Sequence, residues 1–158
     1  MRPFDRQRRL TTTIQIVPFR LRHLERILRI ERASFGRGAW PRRYFLELYA
    51  DCRQFFVVAK LSGRIAGYAV ACLEKNQAEI ASLAVAPDYR RRGVAVALMQ
   101  HLLDALKPAG ARRAALTVRP QNRAALALYR SLGFRKVRLA AGYYEDGGDA
   151  FVMSRAIQ

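Results

Sequence analysis

Apolar residues follow two spacings along this chain, one typical of strands and one typical of amphipathic helices. The segment 20–35 carries Leu21, Leu24, Ile27 and Leu28 at helical spacing, which predicts a helix with one buried face. Further helices are predicted from Pro41 to Asp51, from the loop "DYRRRG" to about Lys107, and over 121–134. Strands are predicted over 11–19, over 54–75 as a pair around a Ser62-Gly63 turn, over 77–87 and 112–118, and as a final pair, "RKVRLAAGYY" and "DAFVMSRAI", around the loop "EDGG".

The predicted elements follow the order β-α-α-β-β-β-α-β-α-β-β. This alternation is typical of an α/β fold, with a mixed central sheet and helices on both of its faces. A chain of 158 residues is long enough for one domain, which we place at residues 11–158. The first ten residues, "MRPFDRQRRL", are basic and lack the apolar centre of a secretion signal, so we expect a mobile arm over 1–10.

The net charge is strongly positive. Lysine and arginine number 29 against 12 acidic residues, which gives +17 at pH 7, and arginine supplies most of it. Such a surface attracts anions. The partner could be a nucleic acid, a phosphorylated cofactor or an acidic protein. The charge alone does not distinguish among these three classes.

The two cysteines, Cys52 and Cys72, match no metal-ligand or redox-motif spacing. We expect them to be small buried hydrophobic residues in a reducing cytoplasm, and we expect no metal site. No uncharged run approaches the ~20 residues that a membrane-spanning helix needs, so no membrane partner is expected.

The segment "PDYRRRGVAVALMQHLL" places three arginines and a glycine between a strand and a helix. The first amides of a helix lack internal partners, and its dipole favours negative charge, so such a junction can bind an anion. Gly93 and Ala95 would allow a phosphate to approach the backbone closely, and arginines can hold phosphate oxygens in pairs. The spacing fits neither a P-loop nor a dinucleotide fingerprint. Taken alone, the segment is equally compatible with a solvated turn.

The pattern Arg90-x-x-Gly93-x-Ala95 after "SLAVAP" resembles the acetyl-CoA motif of the GNAT superfamily of N-acetyltransferases. A second segment, "NRAALALYRSLGF", resembles the Asn-(x)6-Tyr-(x)3-Gly-Phe segment of the same superfamily. Within it, "VRPQNRAALALYRSLGF" and "YYEDGGDAFVM" are most similar to protein N-terminal acetyltransferases, including ribosomal-protein alanine acetyltransferases and N-alpha-acetyltransferase catalytic subunits. The resemblance implies the GNAT fold, with a splayed cleft for acetyl-CoA and direct attack of an amine on the thioester.

The resemblance also implies which residues bind the cofactor. The backbone of the loop and first helical turn would cradle the pyrophosphate, the strand end would pair with the pantetheine arm, and Asn122 would hold the cofactor from the following helix. The predicted set is Leu83, Ala84, Val85, Arg90, Arg91, Arg92, Gly93, Val94, Ala95, Val96 and Asn122.

Tyr129 matches the tyrosine of the second motif, which implies the general acid that protonates the leaving thiolate. A phenol with a pKa of about 10 can give a proton to a thiolate of pKa about 8.5. Because Leu126, Leu128 and Leu132 lie on the same helix, Tyr129 could instead be a core residue.

The base is less directly indicated. Ribosomal alanine acetyltransferases carry a glutamate in a Leu-Glu-Val-Arg segment, whereas this chain has Thr117 at that position, and a threonine cannot replace a carboxylate base. Glu79 in "AEIASLAV" resembles the base of the histone-type acetyltransferases and is our candidate. The alternative is a solvated strand residue or an ion-pair partner.

The substrate predicted from the resemblance is a protein or peptide N-terminus, with Tyr143 and Tyr144 lining the peptide groove or, equally, packing at the end of a strand. At pH 7.4, freeing a lysine amine of its proton costs about 4 kcal/mol, but a chain N-terminus costs under about 1 kcal/mol. The missing glutamate therefore slightly favours an α-amine. The alternatives are a lysine or small-molecule amine and, from another class, a basic ribosome- or nucleic-acid-binding protein. Association with a ribosome or another anionic surface is compatible with the leading prediction, and the predicted location is cytoplasmic.

Overall fold

A computed structural model describes residues 13–158 as seven strands and four α-helices in the predicted order. The predicted arm over 1–10 lies outside the described residues. The strands are β1 (Ile14–Pro18), β2 (Phe56–Leu61), β3 (Arg64–Glu74), β4 (Gln77–Val85), β5 (Arg113–Val118), β6 (Arg135–Ala140) and β7 (Ala150–Ala156). The helices are α1 (Leu24–Phe35), α2 (Arg42–Asp51), α3 (Val94–Leu106) and α4 (Arg123–Ser131).

The strands form one sheet in the order β1-β2-β3-β4-β5-β7-β6. Strands β1 to β4 pair antiparallel with their neighbours, β4 and β5 run parallel, and β7 pairs antiparallel with both β5 and β6. The α/β class and the mixed sheet predicted from the pattern are therefore confirmed.

Two core clusters lie on opposite faces of this sheet. One is formed by α3, α4 and the strand residues that face them, including Leu98, Leu102, Leu116 and Met153. The other is formed by α1 and α2, and its sheet residues come from β2, β3 and β4. Helices thus cover both faces of the β2–β4 half of the sheet, as predicted.

The sheet opens between its two central strands. β4 pairs with β5 only over 77–79 and 113–115, and the two strands then diverge. A bulge at the pairing of Val70 and Ala71 shifts the β4 register, so that Ile80 faces the α3 side while Ser82 and Ala84 face the α1 side. The divergence leaves the last residues of β4 without a strand neighbour on the β5 side, and this is the splayed cleft expected from the resemblance.

The cysteine prediction is wrong. Cys52 and Cys72 form a disulfide, and both are half-buried rather than buried. Cys52 follows the last residue of α2 and Cys72 lies in β3, so the bond joins the end of that helix to the sheet. Spacing along the chain did not indicate this pair because twenty residues separate the cysteines and only the fold brings them together.

Two predicted element boundaries also differ. The helix expected from residue 20 begins with a 3-10 turn, Leu21–His23, before α1. The strand expected to reach Tyr144 ends at Ala140, so Tyr143 and Tyr144 lie in a loop. That loop contains Gly142 and Gly147 with positive φ, a backbone conformation that interrupts a strand.

Candidate active site

The loop before α3 has the geometry of an anion-binding helix start. Gly93 precedes the helix with φ of 81°, and an added Cβ there would meet no atom within 4 Å, so the space above the backbone is open. The first hydrogen bond of the helix runs from the Ala97 amide to the Gly93 carbonyl. The amides of Val94, Ala95 and Val96 therefore have no partner inside α3 and are available to an anion.

The three arginines of this loop are placed differently. Arg90 donates through Nε to the Val85 carbonyl at 3.1 Å and through a terminal nitrogen to the Ser34 hydroxyl at 3.3 Å, which joins the loop to β4 and to α1. Arg91 adopts φ of 61°, and the guanidinium of Arg92 lies 5.7 Å from the centre of the Tyr89 ring. Arg90 thus orders the loop, while Arg91 and Arg92 remain exposed beside its opening.

The helix α4 begins and ends as its sequence predicts. The Asn122 side-chain oxygen accepts a hydrogen bond from the Ala125 amide at 3.1 Å, which caps the helix and leaves the amide NH2 group to donate elsewhere. Gly133, with φ of 87°, follows the last turn. These two residues fix the length of α4 and therefore the height at which Tyr129 meets the sheet.

Tyr129 is 9% exposed and packs edge-on against Phe134, with ring centroids 6.0 Å apart. Burial, with a smaller contribution from the nearby Tyr144, raises the pKa of Tyr129 to about 12. The side chain therefore remains a neutral hydrogen-bond donor throughout the physiological range. The two sequence interpretations of Tyr129, core residue and site residue, are both compatible with this position.

Thr117, Tyr144 and Arg119 form a cluster beside Tyr129. The Thr117 side chain lies beside the Tyr144 phenol and lowers its pKa, and the Arg119 guanidinium lies 3.9 Å from the centre of the Tyr144 ring. Burial raises the pKa of Tyr144, against the lowering effects of Thr117 and Arg119. Thr117, at the position where ribosomal alanine acetyltransferases resemble one another in carrying a glutamate, therefore lies beside a tyrosine of the predicted peptide groove.

The loop that carries Tyr143 and Tyr144 is internally bonded. Asp146 pairs with Arg119 at 3.1 Å and accepts the Gly148 amide at 2.9 Å, and the two tyrosine rings meet edge-on at 5.0 Å. A Cβ on Gly148 would lie 2.5 Å from the end of the Arg119 side chain, which would have to shift to make room for it. The loop is thus a shaped wall at the cleft.

Glu79 lies on β4 at the last position paired with β5, opposite Ala115. It is exposed, and its carboxylate has neither a hydrogen bond nor an ion pair with any side chain or backbone group of residues 13–158. It lies where β4 and β5 begin to diverge. Its paired residue on β5, Ala115, comes two residues before Thr117. The structure thus brings Tyr129 and Tyr144 together and leaves Glu79 at the edge of the same opening.

A buried polar cluster was missed from the sequence. The Glu31 carboxylate accepts hydrogen bonds from the Trp40 amide and the Tyr68 hydroxyl, and the Tyr68 oxygen lies 2.9 Å from the Ser82 hydroxyl oxygen. One signal could have revealed it: Glu31 occupies the next helical position after Leu24, Ile27 and Leu28, where the stripe calls for an apolar residue.

The family model for the acetyltransferase (GNAT) family matches residues 24–134, which is more than half of the chain. The chain belongs to the acetyltransferase (GNAT) family. It is therefore an acetyl-CoA-dependent N-acetyltransferase, as the two motifs indicated.

Several relatives of this acetyltransferase are similar over most of its length. An N-alpha-acetyltransferase of Sulfolobus acidocaldarius is 31% identical over 95% of each chain. The crystal structure of Ard1 from Thermoplasma volcanium superposes with a TM-score of 0.88 at 27% identity, covering 92% of this chain and 98% of that one. The ribosomal-protein-S18-alanine N-acetyltransferase from Escherichia coli superposes with a TM-score of 0.81 at 30% identity, covering 92% and 95%.

The residues of this acetyltransferase fit acetyl-CoA. The open space at Gly93 and the three free α3 amides suit a pyrophosphate, and the unpaired edge of β4 suits an extended arm. Among the described residues no three or more histidine, cysteine or acidic side chains gather as metal ligands. None of the helices within residues 13–158 is both long and apolar enough to cross a bilayer.

Proposed function

We propose that this acetyltransferase transfers acetyl to the N-terminal α-amine of a protein or peptide. The observation that carries the proposal is the full-length similarity to an N-alpha-acetyltransferase, 31% identical over 95% of both chains. The tyrosine wall at the cleft supports it, because two flat amphipathic side chains can hold a peptide backbone. The catalytic domain comprises residues 11–158.

In the proposed complex the amides of Arg91, Val94, Ala95 and Val96 and the Gly93 backbone bind the pyrophosphate, and Arg91 and Arg92 neutralise it. Arg90 acts by ordering the loop through Val85 and Ser34. The backbone of residues 83–85 pairs with the pantetheine arm, and the Asn122 NH2 group donates to it. When bound, acetyl-CoA supplies the thioester carbon that the amine attacks.

Tyr129 is the proposed proton donor to the departing sulfur. Its pKa of about 12 makes the phenol a weaker acid than a thiol of pKa about 8.5, so complete transfer from the phenol costs about 5 kcal/mol. Tyr129 therefore acts first as a hydrogen-bond donor that stabilises the developing negative charge, with transfer completed as the charge builds.

Glu79 is the proposed base, which accepts the amine proton through water from its position at the edge of the opening. An α-amine with a pKa of about 8 needs little help to lose its proton at pH 7.4, whereas a lysine needs about 4 kcal/mol. An exposed, weakly placed carboxylate is therefore adequate for an α-amine. A lysine or small-molecule amine remains the alternative substrate.

The test is thiol release from acetyl-CoA with two matched peptides. One has a free α-amine and no lysine, and the other has a blocked N-terminus and one lysine. Release with the first peptide alone supports the proposal, and release with the second alone overturns it in favour of a lysine enzyme. If neither peptide is acetylated but a polyamine is, the substrate is a small-molecule amine.

We also propose that the sheet face which α1 and α2 leave open over β5, β6 and β7 docks on the phosphate backbone of ribosomal RNA. Arg113 donates to the Ser154 hydroxyl at 3.0 and 3.2 Å, and Arg135 lies opposite Ser154 in register. Arg113, Arg135 and Arg138 are exposed, and within residues 13–158 the core cluster of α1 and α2 does not extend over these three strands. Binding of a ribosomal RNA fragment should weaken steeply with salt, and less steeply after all three arginines are changed to glutamine. Binding of an acidic peptide instead would overturn it.

We propose a cytoplasmic location, where newly made N-termini are available. The Cys52–Cys72 disulfide is unusual for that compartment, because disulfides persist mainly in oxidising surroundings and within hyperthermophile cells. Fractionation of the native host shows where the protein is, and a thiol-reactive label shows whether its cysteines are free. Labelling of both cysteines in the cytoplasmic fraction would show that the disulfide is absent there.

A further inference from the structure

Glu31 is a carboxylate that packing alone does not account for. It is 2% exposed, between α1 and the sheet, and burial raises its pKa. Its partners in the described part of the chain are the Trp40 amide and the Tyr68 hydroxyl, neither of which is a cation. Burying an unpaired carboxylate is unfavourable, and a well-packed apolar residue commonly stabilises such a site better.

The hydrogen bonds of this cluster have a fixed direction. The Tyr68 hydroxyl donates its single proton to the Glu31 carboxyl group. The Tyr68 oxygen, 2.9 Å from Ser82, is then an acceptor, and the Ser82 hydroxyl must donate to it. Ser82 is left with oxygen lone pairs alone for any further partner.

Ser82 lies at the opening of the sheet. It belongs to β4, three residues after the last position paired with β5, and it is half-buried. Its side chain is on the α1 face, opposite the face that carries α3 and α4. The α1–α2 connection begins on this same face, and Trp40 near its end is the residue whose amide Glu31 holds at 3.1 Å.

We propose that Glu31 is a positioning residue for the acceptor substrate. Through the Trp40 amide it anchors the connection that forms one wall of the groove, and through Tyr68 it orients Ser82 so that an oxygen lone pair accepts an N–H of the substrate's first residue. The proposal rests on the proposed function, because it supposes a peptide on this face.

The first test uses Tyr68→Phe and Ser82→Ala. Each breaks the hydrogen-bond chain that runs from Glu31 through Tyr68 to Ser82, while keeping the aromatic ring and the strand. Each should raise the peptide KM roughly three- to tenfold, the worth of one hydrogen bond, and leave the acetyl-CoA Kd unchanged. The double variant should be no worse than the more affected single variant, because both changes remove one interaction. Tyr49→Phe, at a tyrosine of α2 whose ring packs against Phe19 outside this hydrogen-bond chain, is the matched control.

The second test uses Glu31→Gln and the emission of Trp40, the single tryptophan of the chain. The variant should shift the emission and raise the peptide KM, and Glu31→Asp should restore neither because its shorter side chain cannot reach both partners. An unchanged KM in both Tyr68→Phe and Ser82→Ala, or effects that add, would overturn the proposal. If the wild type acetylates no peptide, the proposed function fails by itself, and unchanged Trp40 emission in Glu31→Gln then overturns this inference separately.

Discussion

Thr117 on β5 lies beside the phenol of Tyr144 in the loop before β7, and this pair joins the sheet to the tyrosine wall of the cleft. The relationship explains why a threonine can stand where ribosomal alanine acetyltransferases carry a glutamate. Here the position supports the wall rather than the proton transfer. Loss of the hydroxyl should therefore affect the acceptor peptide before it affects the chemistry.

Thr117→Val keeps the branched shape and removes the hydroxyl beside the Tyr144 phenol. We expect the peptide KM to rise roughly three- to tenfold, in line with the loss of one polar contact, with little change in kcat. Steady-state kinetics with the α-amine peptide measure this. Thr117→Ser retains the hydroxyl and should behave like the wild type, and a fall in kcat at constant KM would assign Thr117 to the chemical step.

Tyr129→Phe should lower kcat by roughly 100-fold or more, because it removes the proposed donor to the departing sulfur. The acetyl-CoA Kd should hardly change, since the amides that we propose bind the phosphates lie on α3. Tyr44→Phe, at a half-exposed tyrosine of α2, provides the matched control. Equal kcat in Tyr129→Phe and wild type would make Tyr129 a core residue.

The pKa of Tyr129 also predicts the shape of the pH profile. Because burial raises this pKa to about 12, the phenol stays protonated below that value and loses its proton only as the pH rises through it. No loss of kcat from Tyr129 ionisation is therefore expected up to about pH 10. A decline of kcat centred near pH 10 that disappears in Tyr129→Phe would contradict the raised pKa.

Glu79→Gln should lower the rate most at low pH, where the α-amine is protonated and needs a base. We expect a loss of tenfold or more at about pH 6.5 that shrinks towards pH 9, as the amine loses its proton unaided. The control is Glu74→Gln, an exposed carboxylate at the end of β3. A pH-independent response equal to that of the control would return Glu79 to the solvated surface.

The sequence was most informative where one local element carries the chemistry. Asn122 and Tyr129 lie on one helix, so the motif fixed their spacing, and capping residues fixed where that helix begins and ends. The candidate anion-binding loop before α3 was predictable for the same reason, because its arginines and glycine are adjacent in the sequence. The order of all eleven strands and helices followed from periodicity and from turn residues such as Gly63 and Gly133.

The sequence was least informative where distant segments meet. Cys52 and Cys72 become neighbours only because α2 ends over β3, and Glu31 meets Ser82 only through Tyr68. The hydrogen-bond chain from Glu31 to Ser82 joins α1, β3 and β4. Its direction cannot be predicted from the spacing of residues within any one of these elements. The tyrosine pair lies in a loop because β6 ends at Ala140, just before Gly142 with its positive φ, and not at Tyr144 as its apolar residues suggested.

The disulfide should contribute measurably to stability. It closes a loop of twenty residues, and loss of that constraint on the unfolded chain costs about 3 kcal/mol. A double variant, Cys52→Ser with Cys72→Ser, should lower the free energy of unfolding by about this amount in urea denaturation. The wild type in strong reductant should match the variant, and two free thiols in unreduced, denatured wild type would show that the bond does not form.

The close packing of Gly67 against β4 leads us to expect that one substitution there affects both stability and cofactor binding. Its backbone lies so close to β4 that an added Cβ would stand 2.7 Å from the Ala84 carbonyl oxygen and 3.3 Å from Leu98. A backbone atom cannot move aside as a flexible side chain can, so Gly67→Ala should displace the end of β4 and destabilise the fold by about 1–3 kcal/mol.

The same displacement should weaken acetyl-CoA binding, because residues 83–85 form the edge that would pair with the pantetheine arm. Isothermal titration with acetyl-CoA at a temperature where Gly67→Ala is still folded separates this effect from instability. Gly38→Ala is the matched control, since a Cβ there meets no atom within 4 Å. If Gly67→Ala binds acetyl-CoA as tightly as the control does, the end of β4 is not part of the cofactor site, and the arm must lie elsewhere in the opening.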